Sequence, residues 1–422
     1  MWPKLVVNKF LRNSMGSNNF VADLPADCSS CFDDHNHEYS SLLASVKHFN
    51  RTDQETFEIF VSSWNVGGVA PPEDLDLEDW LNLRKSPADI YVFGFQEIVP
   101  LSAGNVLGSE NSKISLKWNR IIKAALHKPR PLPTVDHSTE KDQQGSITGD
   151  CPQGFQCVIS KQMVGIFISV WARSDLCKYI EHPNISCVGC GIMGWLGNKG
   201  SVSVRFLLHE TSFCFVCSHL ASGGREGDER HRNSDAAEIL LRSGFPAGPQ
   251  RNLPSKILDH DRVIWLGDLN YRIHLPDSTT RALVERRKWN VLLENDQLKA
   301  ELMKGRIFRG WQEGVIKFAP TYKYYPNSEV YYGCSEEIQK SKKFRAPAWC
   351  DRIIWFGEGL KQSLYDRGEC KLSDHRPVRA IFSTEVESFH NSSGFKCFLS
   401  GRIECFKSIK RTSSDELSVA SL

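Results

Sequence analysis

Short apolar runs of strand length recur along this chain, and most of them stop at polar residues capable of chemistry. FEIFVSSW leads to Asn65, IYVFGF to Gln96 and Glu97, SFCFVCS to His219, and RVIWLG to Asp268, Leu269 and Asn270. Two later runs carry the polar residues at their start: Asp351 precedes RIIWF, and Ser373, Asp374 and His375 precede RPVRAIF. Such runs, rich in β-branched and aromatic residues, predict strands. Strands that bring Asn, Glu, His and Asp to their ends from distant parts of the chain predict one convergent site on a β scaffold, which is the layout of an enzyme.

Helical periodicity appears between some of these runs. In KWNRIIKAALHK, Trp118, Ile121, Ile122 and Ala125 fall on one face, and helices are also expected in DERHRNSDAAEILLRS and STTRALVERRKWNVLLENDQLKAELMK. Strict strand–helix alternation is missing, so the pattern predicts two packed sheets flanked by helices rather than a doubly wound parallel sheet. Residues 1–52 read as a flexible lead-in, 53–384 as the folded domain and 385–422 as a flexible tail. Within the domain, residues 128–154 are rich in Pro, Gly, Ser and charge and read as a surface insertion.

Composition narrows the function classes. The 422 residues are 41% hydrophobic and 10% aromatic, enough for a substantial core. A formal charge of +2 offers no general attraction to nucleic acid, so anion binding has to come from a local basic cluster. Most of the 14 cysteines sit inside apolar runs, and MWPKLVVNKFLRN is too short in apolar residues for a signal sequence. Buried, reduced thiols in a cytoplasmic protein are therefore expected, with the nucleus left open. MVGIFISVWA stops at ten apolar residues, short of a membrane span, so the protein is expected to be soluble or peripheral at membranes.

WLGDLNYRI is the strongest single motif. Asp268 and Asn270 are two apart at a strand end, suited to a water-directing carboxylate and a phosphoryl-oxygen donor. The structural alternative is a turn in which both merely satisfy the backbone. In LSDHRPV, His375 needs a carboxylate to stay protonated beside a phosphate, and Asp351 of AWCDRI is the natural candidate; otherwise it is a structural histidine. Glu97 at a strand end suits a hard cation such as Mg²⁺, with Asn65 as a second, neutral oxygen donor. In GNKG, glycines permit close approach of the backbone to an anion and Lys199 adds charge, although the same residues make an ordinary turn.

Two other patterns compete. Cys370 and Arg376 have the Cys-x5-Arg spacing of thiol-dependent phosphatases, but the intervening residues contain no Gly and a strand, not a helix, follows. The pairs Cys28/Cys31, Cys187/Cys190 and Cys214/Cys217 suggest zinc, yet no His cluster completes a site, and the last pair falls on opposite faces of a strand.

Taken together, FVSSWNVGG, FGFQEIVP, GNKGSVSVRF, SHLASGG, WLGDLNYRI, FAPTYKY, FRAPAWCDRII and LSDHRPV resemble the inositol polyphosphate 5-phosphatase family. More distantly they resemble the endonuclease/exonuclease/phosphatase superfamily that includes deoxyribonuclease I. The resemblance runs from about residue 57 to 383 and is nearest in wording to plant members. It implies an α/β fold, a four-layered α/β/β/α sandwich with the site where strand ends of both sheets meet. It also implies that Glu97 and Asn65 hold Mg²⁺ and that Asp268 activates water. Asn270 and His219 would contact phosphoryl oxygens, His375 paired with Asp351 would bind the scissile phosphate, and Asp374 would lie beside the metal. Tyr322, Lys323, Lys343 and Arg345 occupy the positions that recognise a neighbouring 4-phosphate.

The resulting expectation is a Mg²⁺-dependent phosphatase that removes the 5-phosphate of phosphatidylinositol 4,5-bisphosphate or related phosphoinositides, or of inositol 1,4,5-trisphosphate, by in-line attack of water. A nuclease on the same scaffold would want a basic groove, and a phosphoinositide-binding protein with a dead site would be expected to lack one of Glu97, Asp268, Asn270 or His375. Met193, Trp195 and Leu196, just before Lys199, are candidate membrane contacts. The alternative for Trp195 is a place in the core.

Overall fold

The alternation of side chains along the strands sets up four layers. The computed structural model describes residues 52–81, 87–108, 112–128, 154–191, 194, 196–246, 253–333 and 345–389. The proposed lead-in, nearly all of the 128–154 insertion and the tail beyond residue 389 lie outside them.

The first sheet contains β1 (Thr52–Asn65), β2 (Ile90–Gln96), β3 (Phe155–Met163), β4 (Ile166–Arg173), β11 (Leu360–Arg367) and β12 (Val378–Phe389), in the order β11-β12-β1-β2-β4-β3. The second contains β5 (Ile180–Gly189), β6 (Gly200–Leu208), β7 (Thr211–His219), β8 (Arg262–Asp268), β9 (Gln312–Glu313) and β10 (Asp351–Phe356), in the order β5-β6-β7-β8-β10-β9. β1 and β2 run parallel near the middle of one sheet, β7 and β8 near the middle of the other, and the neighbouring β6–β7 and β8–β10 pairs are antiparallel.

Ile59, Val61, Ile90 and Val92 of the first sheet face Phe213, Phe215, Cys217, Ile264 and Leu266 of the second. The intervening residues point the other way. Phe60, Trp64, Phe93 and Phe95 pack under α1 (Lys113–Leu126) through Trp118, Ile121 and Ile122, as the helical period predicts. Cys214, Val216, Val263 and Trp265 pack under α2 (Glu229–Arg242) through Ala236 and Ile239. Trp118 is fully buried, so Trp118→Ala should cost about 3–5 kcal/mol. The sheets approach closely where Gly94 faces the second sheet: a Cβ there would lie 2.7 Å from Leu266 Cδ1 and 2.9 Å from Cys217 Sγ.

Two details differ from the expected boundaries. The long helical stretch after Ser278 is three helices, α3 (Asp277–Glu285), α4 (Trp289–Glu294) and α5 (Gln297–Lys304). The chain breaks at Arg287, with a left-handed φ of 52°, and restarts at Asp296, whose side chain accepts from Lys299 N as an N-cap. At the other end, β12 runs past residue 385, with Thr384 and Val386 continuing its inward alternation. Cys214 and Cys217 do fall on opposite faces of β7, each in a different core, and the described cysteines form no disulfide.

Candidate active site

The register of the second sheet places chemistry side by side. Gly200 pairs with His219, His219 with Asp268, and Asp268 with Asp351, one rung across four strands. Across the intersheet core, Asn65 pairs with Gln96 at the ends of β1 and β2, and Glu97 follows directly. A cavity of about 450 Å³ opens between these ends and is lined by Asn65, Glu97, Lys199, His219, Asp268, Asn270, Tyr322, Lys323, Arg345, Asp374 and His375. Most of the residues singled out in the sequence therefore converge. Lys343, Met193 and Trp195 lie outside the described residues, and Leu196 is partly buried.

Asp268 is the hub. Its Oδ2 accepts from Asn65 Nδ2 at 2.9 Å and lies 3.3 Å from His219 Nε2 and 4.0 Å from His375 Nε2. Its Oδ1 accepts from Asn270 N at 3.1 Å, so the turn predicted as the structural alternative is also present, built on the other oxygen. Burial alone would raise the Asp268 pKa, but His219, His375 and Lys199 outweigh it and hold the carboxylate well below the usual range. Glu97 and Asn270 have left-handed φ values of 54° and 56°, conformations uncommon for side-chain-bearing residues, and both line the pocket.

His375 Nδ1 donates to Asp351 Oδ2 at 2.9 Å, and Thr321 Oγ1 donates to the same oxygen at 2.7 Å. Burial disfavours the imidazolium, yet the Asp351 carboxylate more than compensates and raises the His375 pKa to about 9. The loop carrying His375 is tied to β1, since Ser373 Oγ donates to Asn65 O at 2.5 Å and Trp64 Nε1 to His375 O at 3.3 Å. His219 is held differently. Burial lowers its pKa, and the Lys199 ammonium, which approaches Nε2 closely, lowers it further. Lys199 itself is pushed down to about 8 by burial. Its ammonium thus points into the pocket rather than outward toward a membrane surface.

Lys323 and Arg345 line the same cavity. Lys323 Nζ lies 5.5 Å from the centroids of both the Tyr322 and Tyr332 rings and donates to Asp374 Oδ2 at 2.7 Å. The resemblance puts Asp374 beside a metal; in the structure its carboxylate holds this lysine. Cys370 packs at the edge of the tryptophan-rich outer core, and Arg376 stacks 4.0 Å from the Tyr324 ring centroid. The two do not share an anion-binding loop.

The residues fit a hard divalent cation. Glu97 Oε1 and Asp268 Oδ2 both lie against Asn65 Nδ2, at 3.4 and 2.9 Å, so two carboxylate oxygens converge at the pocket wall. Asn65 Oδ1 accepts from Gly67 N at 3.0 Å and retains a second lone pair. Asp268, Asp351 and His375 also bring ligand-type atoms within 4.8 Å of one another, but a protonated imidazole already paired with Asp351 is a poor ligand.

Sequence reasoning passed over Arg272, Tyr332, Ser222 and Leu101, all lining the cavity. For Arg272 the signal was available: it follows Asn270 by two residues in the motif already singled out. Asp235 was also missed. Its Oδ2 accepts from Ala221 N at 2.8 Å and so fixes the loop after His219 to α2, and burial raises its pKa to about 6.

The chain matches the Endonuclease/Exonuclease/phosphatase family 2 over residues 62–381. Type IV inositol polyphosphate 5-phosphatase 9 of Arabidopsis thaliana is 62% identical over 388 residues, spanning 92% of each chain. Type I inositol polyphosphate 5-phosphatase 8 of the same organism is 47% identical over 426 residues, spanning 93% of this chain and 88% of that one. The solved 5-phosphatase domain of SPsynaptojanin, in complex with inositol (1,4)-bisphosphate and a calcium ion, matches with a TM-score of 0.66 at 29% identity, over 89% of this chain and 98% of that chain. With its strand ends, its paired histidine and its sandwich all in the same arrangement as the sequence motifs imply, the chain belongs to the inositol polyphosphate 5-phosphatase family.

Proposed function

We propose that the protein hydrolyses the 5-phosphate of phosphorylated inositols, with Mg²⁺ as its cation and either phosphatidylinositol 4,5-bisphosphate or soluble inositol 1,4,5-trisphosphate as substrate. The observation that carries this reading is the pocket itself. A protonated His375 and an ionised Asp268 face each other within it, and Lys323 and Arg345 add cationic charge along its wall. That is a phosphate-monoester site with a second anion subsite.

Glu97 and Asn65 would hold the divalent cation, which when bound supplies charge neutralisation at the phosphoryl oxygens. The chain's own residues do the rest. Asp268 orients the attacking water and accepts its proton as the new P–O bond forms; an incoming phosphate dianion raises the pKa of a carboxylate that the empty pocket holds low. His375 donates from Nε2 to a phosphoryl oxygen while Asp351 keeps it charged. Asn270 contributes an amide N–H, and the bond to the inositol oxygen breaks on the far side of the phosphorus, releasing inorganic phosphate. Lys323 and Arg345, with Tyr322, grip the 4-phosphate.

Peripheral membrane contact from a cytoplasmic location belongs to the same reading. No helix among the described residues is long and apolar enough to cross a membrane, and the partly exposed Leu196 lies three residues from the pocket-lining Lys199. The test is phosphate release from a panel of 4,5- and 3,4,5-phosphorylated lipids and soluble inositol phosphates, with and without EDTA and with Mg²⁺ added back. Release that survives chelation, or that occurs only from substrates lacking a 5-phosphate, would overturn the proposal.

A further inference from the structure

Among the buried arginines, Arg352 and Arg272 differ in their partners: the first is held by direct ion pairs, whereas no carboxylate among the described residues contacts the second directly. Arg352 of β10 is 0% exposed and bonds both Asp296, at 2.9 Å, and Glu313, at 2.5 Å. Arg272 is 8% exposed, lines the cavity and forms no ion pair among the described residues. Its Nη2 donates to Asn270 Oδ1 at 2.5 Å, whereas Nε and Nη1 are buried without a hydrogen-bond partner. The guanidinium lies 4.5 Å from the Tyr322 ring centroid, and His375 packs on the same ring with centroids 4.5 Å apart. With Lys323 Nζ 5.5 Å from the same centroid, the aromatic ring spaces three cationic side chains along one wall.

Arg272 is kept charged through space by Asp268 but has no carboxylate in direct contact. A phosphate in the adjoining cavity would supply that direct counter-charge. The bond to Asn270 adds a second consequence. Asn270 Oδ1 is engaged by Arg272 and Nδ2 donates to Leu220 O at 3.0 Å, so the amide is fixed with one Nδ2 hydrogen left over. Without the guanidinium the amide could turn and present an acceptor to an anion.

We infer that Arg272 is the buried counter-charge for the phosphoryl group in this pocket and that it locks Asn270 in its donating orientation. The inference rests on the reading of the pocket as a phosphate-monoester site. It predicts a trade of stability against binding that a purely structural arginine would not show.

The test uses Arg272→Met and Arg272→Lys in the full chain. Removing a buried charge that no carboxylate contacts directly should leave the melting temperature of Arg272→Met, in phosphate-free buffer, unchanged or raised. The same variant should bind inorganic phosphate, titrated calorimetrically, roughly tenfold or more weakly, and its kcat on inositol 1,4,5-trisphosphate should fall roughly a hundredfold with a smaller change in KM. Arg272→Lys, which keeps the charge, should recover part of both losses. A lowered melting temperature with phosphate affinity intact, or Lys and Met variants equally impaired, would make Arg272 structural and overturn the inference. Wild-type protein that binds phosphate, loses that binding in Arg272→Met, yet releases no phosphate from any inositol substrate would leave the inference standing and overturn the proposed reaction.

Discussion

His219 and His375 both turn Nε2 toward Asp268 Oδ2, at 3.3 and 4.0 Å, and both are nearly inaccessible to solvent. Their charges nonetheless diverge. Burial pushes each toward neutrality, but Asp351 on Nδ1 reverses the effect for His375 and raises its pKa to about 9. For His219, Lys199 reinforces burial, and Nδ1 has no hydrogen-bond partner to anchor a proton. The partner at the far nitrogen, rather than the depth of burial, decides which histidine is a cation. One pocket therefore holds a cationic donor to phosphate and a second histidine whose charge its surroundings disfavour.

The largest effect comes from removing that distinction. His375→Ala should reduce kcat by about three orders of magnitude or more with the fold retained, since the lost donor acts on charge developing in the transition state. Asp351→Asn tests the cause rather than the residue: His375 should lose its raised pKa, measured by NMR, and its alkaline activity limb should move toward neutral pH. A variant that keeps both its rate and its pH profile would show that Asp351 does not set the charge of His375.

Much of this contrast was legible in the sequence, and the limit is instructive. Asp351 and His375 stood at strand starts with the right chemistry, and pairing them required that the start of β12 in one sheet meet the start of β10 in the other, which the Tyr322 segment bridges. Nothing local foretold that Lys199 would turn inward onto His219, because GNKG is equally good as a hairpin turn on the surface. The sandwich itself followed from period-two alternation, as in Ile59, Phe60 and Val61, which feed two different cores. The broken helix after Ser278 and the late end of β12 were missed, since a left-handed Arg287 and a polar strand end such as Thr384 leave no compositional mark. Arg272 stood within the WLGDLNYRI motif, yet its place in the pocket depends on neighbours, Tyr322 among them, that are far away in the chain.

Lys199→Met sharpens the other half of the comparison. With the ammonium gone, the depressed pKa of His219 should rise, while burial still disfavours its charged form. His375 should be little affected, since Asp351 dominates its environment. Equal shifts at both histidines, followed by their ring resonances, would show that the two share a common field rather than separate partners.

Stability should follow the same divide as pH rises. A raised folded-state pKa means that the native protein holds the His375 proton more tightly than the unfolded chain, whose histidine titrates near 6.5. The contribution of the His375–Asp351 pair is then fully present below about pH 6.5 and is lost as pH rises through about 9. Activity should decline over the upper part of this window, where Lys199, pushed down to about 8, also loses its proton. Thermal melts between pH 6 and 10 should show a stability loss in the wild type that Asp351→Asn and His375→Ala do not share. A parallel decline in all three proteins would assign the loss to other groups.

The smallest expected effect is at Cys370, which lies on the same loop as His375 but faces the tryptophan-rich outer core instead of the pocket. If water is the nucleophile, Cys370→Ser should leave kcat within about twofold of wild type. Any cost should be confined to packing, on the order of 1 kcal/mol. The comparison with His375→Ala is the useful one, since the two substitutions sit five residues apart on the same loop and differ mainly in which way the side chain faces. A fully folded Cys370→Ser enzyme with its activity abolished would restore the thiol to the chemistry and remove the need for Asp268 to direct a water.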